Sequence, residues 1–122
     1  MMVVMVVNNK LDTSLEEIKA LPSLIEEALK CEDQVKQISK LIYKKKDIYF
    51  IGRSLDYALA AEGALKLKEI SYLHAEALAA RELKHGTRAL IEEETPVIVT
   101  ASQRYLLDKT TSNVQEVIAR GA

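Results

Sequence analysis

Apolar residues recur three and four positions apart through the first third of the chain, which is the spacing of amphipathic helices. Pro22 interrupts the repeat. Because proline lacks an amide hydrogen and is favoured in the first turn of a helix, it predicts the start of a new turn or helix. The first third is therefore predicted to be helical, with its apolar repeat at Leu15, Ile18, Leu21, Leu24, Ile25, Ala28 and Leu29, then Val35, Ile38, Leu41 and Ile42.

Two features precede this repeat. Ser14 stands three residues before Glu17 in the spacing of a capping box, and Asp12 and Thr13 offer further capping oxygens, so a helix should begin here. Residues 1–7 are an apolar run that lacks the basic leading region of a signal peptide and the length of a membrane span. They are either a strand or a consequence of where the chain starts, and the sequence leaves both interpretations open.

The rest of the chain alternates strands and helices. A β-branched and aromatic run at 47–51 predicts a buried strand, and its ending in Gly52 suggests the edge of a parallel sheet. Residues 56–72 predict a long helix, 81–86 the end of a second, shorter helix, 96–100 another buried strand, and 106–120 a last helix ending at Gly121. This alternation favours a doubly wound α/β sheet.

A parallel sheet of only two or three strands would leave long strand edges unpaired. We therefore expect an incomplete sheet, completed by strands of a longer protein or of a partner chain. The predicted organisation is a helical N-terminal segment at 1–46 followed by an α/β domain at 47–122 that lacks its C-terminal part.

Composition excludes some classes of partner. The 122 residues carry 17 basic and 18 acidic side chains, a net charge of −1, so no general field attracts nucleic acid or an anionic membrane. The one basic run, Lys44 to Lys46, is typical of a solvated helix end. The single cysteine, Cys31, excludes an internal disulfide and fits a reducing cytoplasm.

Candidate chemistry lies on the long helix. At 100° per residue, Lys66 falls about 40° to one side of Glu62 and Glu69 about 20° to the other, so the three charges form one line. An ordinary surface helix uses the same spacing for ion pairs, and the spacing alone leaves both interpretations open. Apolar residues border this line of charges on both sides, namely Leu59, Leu65 and Ile70.

His85 precedes Gly86 at a predicted helix end, where a histidine can serve as an acid or base or can simply complement the helix dipole. His74 and Glu76 lack metal-ligand spacing, and one cysteine cannot build a thiolate site. We expect neither a metal nor a cofactor.

These motifs together resemble a known family. EGALKLKEISY at 62–72, HAE at 74–76 and ELKHG at 82–86 are similar to the second sugar isomerase (SIS) domain of the glucosamine-6-phosphate synthase family. The similarity runs from about Leu21, through IGR at 51–53 and PVIV at 96–99, to ARG at 119–121. It implies a flavodoxin-like, three-layer αβα fold.

The resemblance also implies an activity, the conversion of fructose 6-phosphate and glutamine-derived ammonia into glucosamine 6-phosphate. Glu69 would be the base that moves a proton between the first two sugar carbons, a role suited to a buried carboxylate. Lys66 would stabilise charge on the intermediate, and Glu62 would support Lys66. His85 would assist ring opening in a neighbouring subunit's site, which implies a homodimer.

Several parts of that family's enzymes are missing from this sequence: the first isomerase domain with its phosphate-binding loop, the C-terminal lysine tail and the amidotransferase domain. We therefore expect the isolated chain to be inactive. Arg81, Thr87 and Arg88 also depart from the family pattern, and the two arginines add charge beside His85 that bears on substrate access or oligomer contacts.

Two alternatives remain. One is a non-catalytic module that senses sugar phosphates, although no helix-turn-helix signal or basic recognition helix is present. The other is a subunit that supplies these residues in trans to a chain bearing the phosphate loop.

Overall fold

The computed structural model describes residues 11–85 and 90–122, and within them the side chains of 15–83 and 90–122. The predictions for residues 1–7, for the capping side chains of Asp12, Thr13 and Ser14, and for Gly86, Thr87 and Arg88 lie outside this part. The chain divides into two compact units between Leu41 and Ile42.

The described residues of the first unit are mainly helical, as predicted. Helix α1 (Leu11–Leu29) and helix α2 (Glu32–Ile42) are joined by Lys30 and Cys31. Pro22 lies inside α1, so the prediction of a new helix there is wrong. A helix that continues across a proline loses one backbone hydrogen bond, but the apolar repeat keeps the same phase on both sides of Pro22. The break falls instead where that repeat ends.

In the residues that the structure describes, the second unit contains three strands and two longer helices. A short 3₁₀ turn follows the second strand, and another precedes the last helix. In chain order the elements are β1 (Asp47–Gly52), α3 (Leu55–Ser71), β2 (His74–Ala79), the 3₁₀ turn Glu82–His85, β3 (Val97–Val99), the 3₁₀ turn Arg104–Leu106 and α4 (Leu107–Ile118).

The strands form a parallel sheet in the order β2-β1-β3. This confirms the predicted α/β class, but β1 is the central strand and not the edge strand that its terminal glycine suggested. The neighbouring strands stay paired with β1 to its end, since the Ala80 amide donates to the Gly52 carbonyl and the Thr100 amide to the Ile51 carbonyl, each at 2.9 Å. We call this side of the sheet, where the strands end, the carboxyl edge.

Strand β2 was missed by the sequence analysis, which placed a short helix before Gly86. Its sequence, HAEALA, consists mainly of good helix formers, so local propensity favours the wrong structure. Pairing with β1 along its full length, and burial of Ala75 and Leu78 on opposite faces, override that propensity.

Two apolar clusters lie on opposite faces of the sheet. On one face, Ile48 and Phe50 of β1 pack against Ala60 and Ala64 of α3. On the other, Tyr49 and Ile51 pack with Leu78, Leu83 and Val117, the last from α4. The second unit is therefore a three-layer arrangement in which α3 and α4 cover the two faces of β1.

The turn from β1 into α3 leaves no space for a side chain at Gly52. A Cβ at that position would lie 2.3 Å from the Asp56 carbonyl oxygen and 2.7 Å from the Tyr57 nitrogen. Both atoms belong to the backbone of the first turn of α3, so they cannot rotate away. Gly63, further along α3, faces only the Phe50 ring, with the nearest approach at 3.0 Å.

We predict that Gly52→Ala destabilises the fold by about 3 kcal/mol or more, because backbone must separate from backbone to admit the methyl group. Gly63→Ala is the matched control. In that variant the close contact of the new methyl group with the Phe50 ring is offset by a gain in helix propensity of up to about 1 kcal/mol. The net change in the free energy of unfolding should therefore stay below about 1 kcal/mol. Urea denaturation of the two variants checks the difference, and equal stabilities would contradict this account of the turn.

Candidate active site

Glu62, Lys66 and Glu69 lie on the outer face of α3. The helix buries Ala60 and Ala64 against the sheet, and the three charged residues project from the opposite side. Burial of the two alanines sets the rotation of α3 about its own axis, and this rotation also determines the direction in which the three charged side chains project. The structure brings these three predicted residues together.

Lys66 lies between the two carboxylates. Its Nζ donates to Glu69 Oε2 at 2.8 Å and lies 3.7 Å from Glu62 Oε1. The hydrogen bond to Glu69, more than the charge of Glu62, raises the pKa of the Lys66 ammonium above its ordinary value. Lys66 therefore remains a cation, suited to stabilise negative charge on an oxygen.

The line is more open to solvent than the resemblance implied. The side chains of Glu69 and Lys66 are 51% and 54% exposed, so the burial expected around Glu69 is not provided by the residues that the structure describes. Exposed apolar side chains border the line on α3, at Leu55, Leu59, Leu65 and Ile70. Apolar residues around a row of charges are typical of a face that another segment covers.

His85 ends the 3₁₀ turn that follows β2, and its side chain lies outside the described part of the chain. Leu83 of the same turn is fully buried in the cluster that includes Val117 of α4. The segment ending at His85 is therefore anchored on the α4 face of the sheet, whereas Glu69 projects from the α3 layer. Within one chain, the fold separates the elements that carry these two candidates.

A buried carboxylate organises the carboxyl edge. Asp56, in the first turn of α3, has no exposed surface and accepts hydrogen bonds from the Ser102 amide at 3.2 Å, from the Ser102 hydroxyl and from the Gln103 amide at 3.4 Å. Gln103 Nε2 in turn donates to the Arg53 carbonyl at 3.0 Å. These bonds attach the segment after β3 to the start of α3, and the bond from the Ser102 hydroxyl above all lowers the pKa of Asp56.

Three basic residues meet at this edge: Arg53 after β1, Arg81 after β2 and Lys109 on α4. They line a cleft of about 480 Å³ together with Ser54, Tyr105 and Leu106. The sequence analysis missed this group because it did not predict β2, and the end of β2 places Arg81. The available signal was Arg53 directly after Gly52, since polar residues at the ends of parallel strands meet at one edge.

Among the residues that the structure describes, no group of three or more His, Cys, Asp or Glu side chains could hold a metal ion. The helices of the same part include none that is long and apolar enough to cross a membrane.

The SIS domain family matches residues 41–122 of this sequence. The chain belongs to the SIS family. The match covers the whole three-layer unit, including α3 with its charged line and the carboxyl edge.

Relatives within this family share about half of the sequence. The SIS chain is 52% identical over 113 residues to glutamine–fructose-6-phosphate aminotransferase [isomerizing] of Clostridium tetani, and 54% identical over 104 residues to the protein of that name from Idiomarina loihiensis. These alignments cover 93% and 85% of this chain, but only 19% and 17% of the relatives. The chain thus spans about a fifth of their length.

A solved structure supports the same assignment. The C-terminal domain of glucosamine-fructose-6-phosphate aminotransferase from Francisella tularensis is 46% identical to this SIS chain and superposes with a TM-score of 0.88. The superposition covers 95% of this chain and 33% of that one. The fold therefore corresponds to about a third of that solved C-terminal domain.

We predict that Asp56 makes the fold less stable at acid pH than at neutral pH. Because its pKa in the folded state is lower than in the unfolded chain, the ionised carboxylate stabilises the fold above about pH 4, and this contribution is lost as the pH falls through the lower folded value. In Asp56→Asn the fold should be weaker at pH 7 and should lose less stability between pH 5 and pH 2.

Urea denaturation across this range measures the effect. Asp108→Asn, at an exposed position on α4, removes the same charge without touching the Ser102 loop and should keep the pH dependence of the parent chain. Parallel pH profiles for Asp56→Asn and the parent chain would contradict the assignment.

Proposed function

We infer that this chain is part of the isomerase domain of a glutamine–fructose-6-phosphate aminotransferase and contributes the proton-transfer groups for ketose–aldose isomerisation. The observation that carries the proposal is the line of Glu62, Lys66 and Glu69 on the outer face of α3, within a segment about half identical to those enzymes. The substrates would be fructose 6-phosphate and glutamine-derived ammonia, and the products glucosamine 6-phosphate and water.

Glu69 is the proposed base. Its carboxylate would take a proton from the first carbon of the open-chain sugar and return it to the second, and the negative charge that develops on the sugar oxygen would lie near a cation. Lys66, hydrogen-bonded to Glu69 at 2.8 Å, would supply that cation. Glu62 would hold Lys66 in position from its other side.

Two arrangements in the structure support a composite site. Glu69 is half exposed, so the described residues of this chain do not exclude water around it. Further segments, such as those that make up the rest of the aminotransferase relatives, would provide that exclusion. The turn that ends at His85 is anchored on the opposite face of the sheet from α3, in keeping with a role for His85 in the site of a neighbouring subunit. We propose a homodimer on this ground.

The first prediction concerns binding. Because this chain carries only part of the proposed site, NMR titration of the ¹⁵N-labelled chain with fructose 6-phosphate should leave the amide signals of Glu62, Lys66 and Glu69 unshifted. Binding should appear when a separately produced first isomerase domain is added. Binding of the sugar phosphate at the Glu62 to Glu69 line in the chain alone would contradict the composite site and favour a sensing module.

The second prediction concerns Glu69. In the full-length Clostridium tetani enzyme with its matching segment replaced by this sequence, Glu69→Gln should lower the rate of isomerisation about 10²- to 10⁴-fold, because the amide cannot accept the proton. Exchange of the sugar carbon-bound hydrogens with deuterated water, followed by NMR, isolates that step. The control, Glu26→Gln on α1, makes the same chemical change at an exposed position. Unchanged exchange in Glu69→Gln would remove Glu69 from the role of base.

A further inference from the structure

We propose that the aromatic ring of Tyr72 covers Glu69 during isomerisation and shields the transferred proton from water. The inference rests on the function proposed above for the charged line on α3. Tyr72 follows α3 directly, and its amide donates to the Lys68 carbonyl at 3.0 Å. Its Cα therefore continues the helix and lies about one turn beyond Glu69.

The first support is the backbone of Tyr72. Its φ of 59° and ψ of 11° lie in the left-handed region, where a bulky side chain costs free energy that glycine avoids. The short connection imposes this conformation, because only Tyr72 and Leu73 join the end of α3 to the start of β2. Helices that end in this way commonly use glycine. Because strained backbone is typical of functional sites, the tyrosine points to a function of its side chain.

The second support is the freedom of that side chain. Tyr72 is 94% exposed, and its hydroxyl makes no hydrogen bond to the residues that the structure describes. The backbone on either side is held, since the Leu73 amide donates to Ser71 Oγ at 3.3 Å and Leu73 packs against the apolar cluster that contains Phe50. The ring of Tyr72 thus contributes little to the fold and can turn on a fixed base.

The third support is the position of Tyr72 relative to Glu69. Residues three apart on a helix are neighbours, with roughly 5 to 6 Å between their Cβ atoms, a distance that a tyrosine side chain can cross. Leu65, 43% exposed, lies about one turn before Glu69 on the same side of α3. With the Tyr72 ring turned toward it, the Glu69 carboxylate would lie between two apolar groups. Lys66 approaches from the other side and keeps its hydrogen bond.

Such a cover acts on the proton that Glu69 carries. The carboxylate takes a proton from the first sugar carbon, holds it as a carboxylic acid and returns it to the second carbon. Water that reaches the carboxylic acid in the meantime replaces this proton with one from solvent. A tyrosine combines an apolar ring with a polar tip, so the ring can lie over Glu69 and exclude water while the hydroxyl stays solvated.

Deuterium retention tests the proposal in the full-length Clostridium tetani enzyme that carries this sequence in its matching segment. The substrates are glutamine and fructose 6-phosphate deuterated at its first carbon, in ordinary water, and NMR measures the deuterium at the second carbon of the product. The parent enzyme should retain part of the deuterium, and Tyr72→Asn should lose most of it. Tyr72→Phe keeps the ring and should retain as much as the parent. Retention is a ratio per product molecule, so a variant that only lowers the amount of folded enzyme would not change it.

The outcomes separate this inference from the proposed function. Equal retention in Tyr72→Asn and the parent enzyme, or no retention in the parent, would overturn the cover while leaving Glu69 as the base. A loss of deuterium in Tyr72→Phe would also overturn it, because the effect would then belong to the hydroxyl. Tyr43→Asn removes another exposed ring, which lies 5.4 Å from Lys44 Nζ, and should retain as much deuterium as the parent. The proposed function itself is tested by Glu69→Gln, as described above.

The stability of the isolated chain gives a second measurement. Asparagine tolerates the left-handed region better than tyrosine, and the exposed ring adds little packing, so Tyr72→Asn should unfold at the same or a higher urea concentration than the parent chain. Together with the loss of deuterium retention, this result would show that the tyrosine serves the reaction at the expense of the fold. A lower urea midpoint would show that the ring stabilises the fold and would overturn the proposal.

Discussion

The contact between Gly52 and the first turn of α3 fixes the geometry on which the other features depend. A Cβ at Gly52 would lie 2.3 Å from the Asp56 carbonyl oxygen, so the helix can start this close to the strand only because the strand ends in glycine. The close start places the Asp56 carboxylate beneath the segment after β3 and Ser54 at the mouth of the cleft. It also sets the rotation of α3, which determines the face that carries Glu62, Lys66 and Glu69.

One helix thus serves two surfaces with different electrostatics. The residue that precedes it, Ser54, lines a basic cleft at the positive end of the helix dipole, whereas its outer face carries two carboxylates bound to one lysine. The buried alanines Ala60 and Ala64 allow α3 to lie close against β1, so a shift of the helix would move both surfaces together. Packing on the inner face is the physical link between them.

Much of this could be predicted from sequence, and the exceptions have a common cause. β1, α3, β3 and α4 carry strong local signals, and the spacing of Glu62, Lys66 and Glu69 predicted their alignment. The prediction missed β2 because its sequence, HAEALA, consists mainly of helix formers and becomes a strand only through pairing with β1. The basic cleft could not be predicted for the same reason, since Arg81 reaches the carboxyl edge only if β2 is a strand. The helix-breaking effect of Pro22 was overestimated, because the loss of one hydrogen bond does not end a helix whose apolar stripe continues.

The exposure of the α3 line bears on how such a chain could act. A lysine held between two carboxylates in water gains little from them, because water screens their charges and competes for their hydrogen bonds. The same three groups act far more strongly when water is excluded, since charge interactions then operate in a low dielectric. The exposed apolar residues beside the line, including Leu59 and Ile70, are suited to that exclusion if a further segment packs on them. About four fifths of the length of each relative lies outside the region matched here. On physical grounds we therefore expect α3 to provide the reactive groups and other segments to exclude water from them.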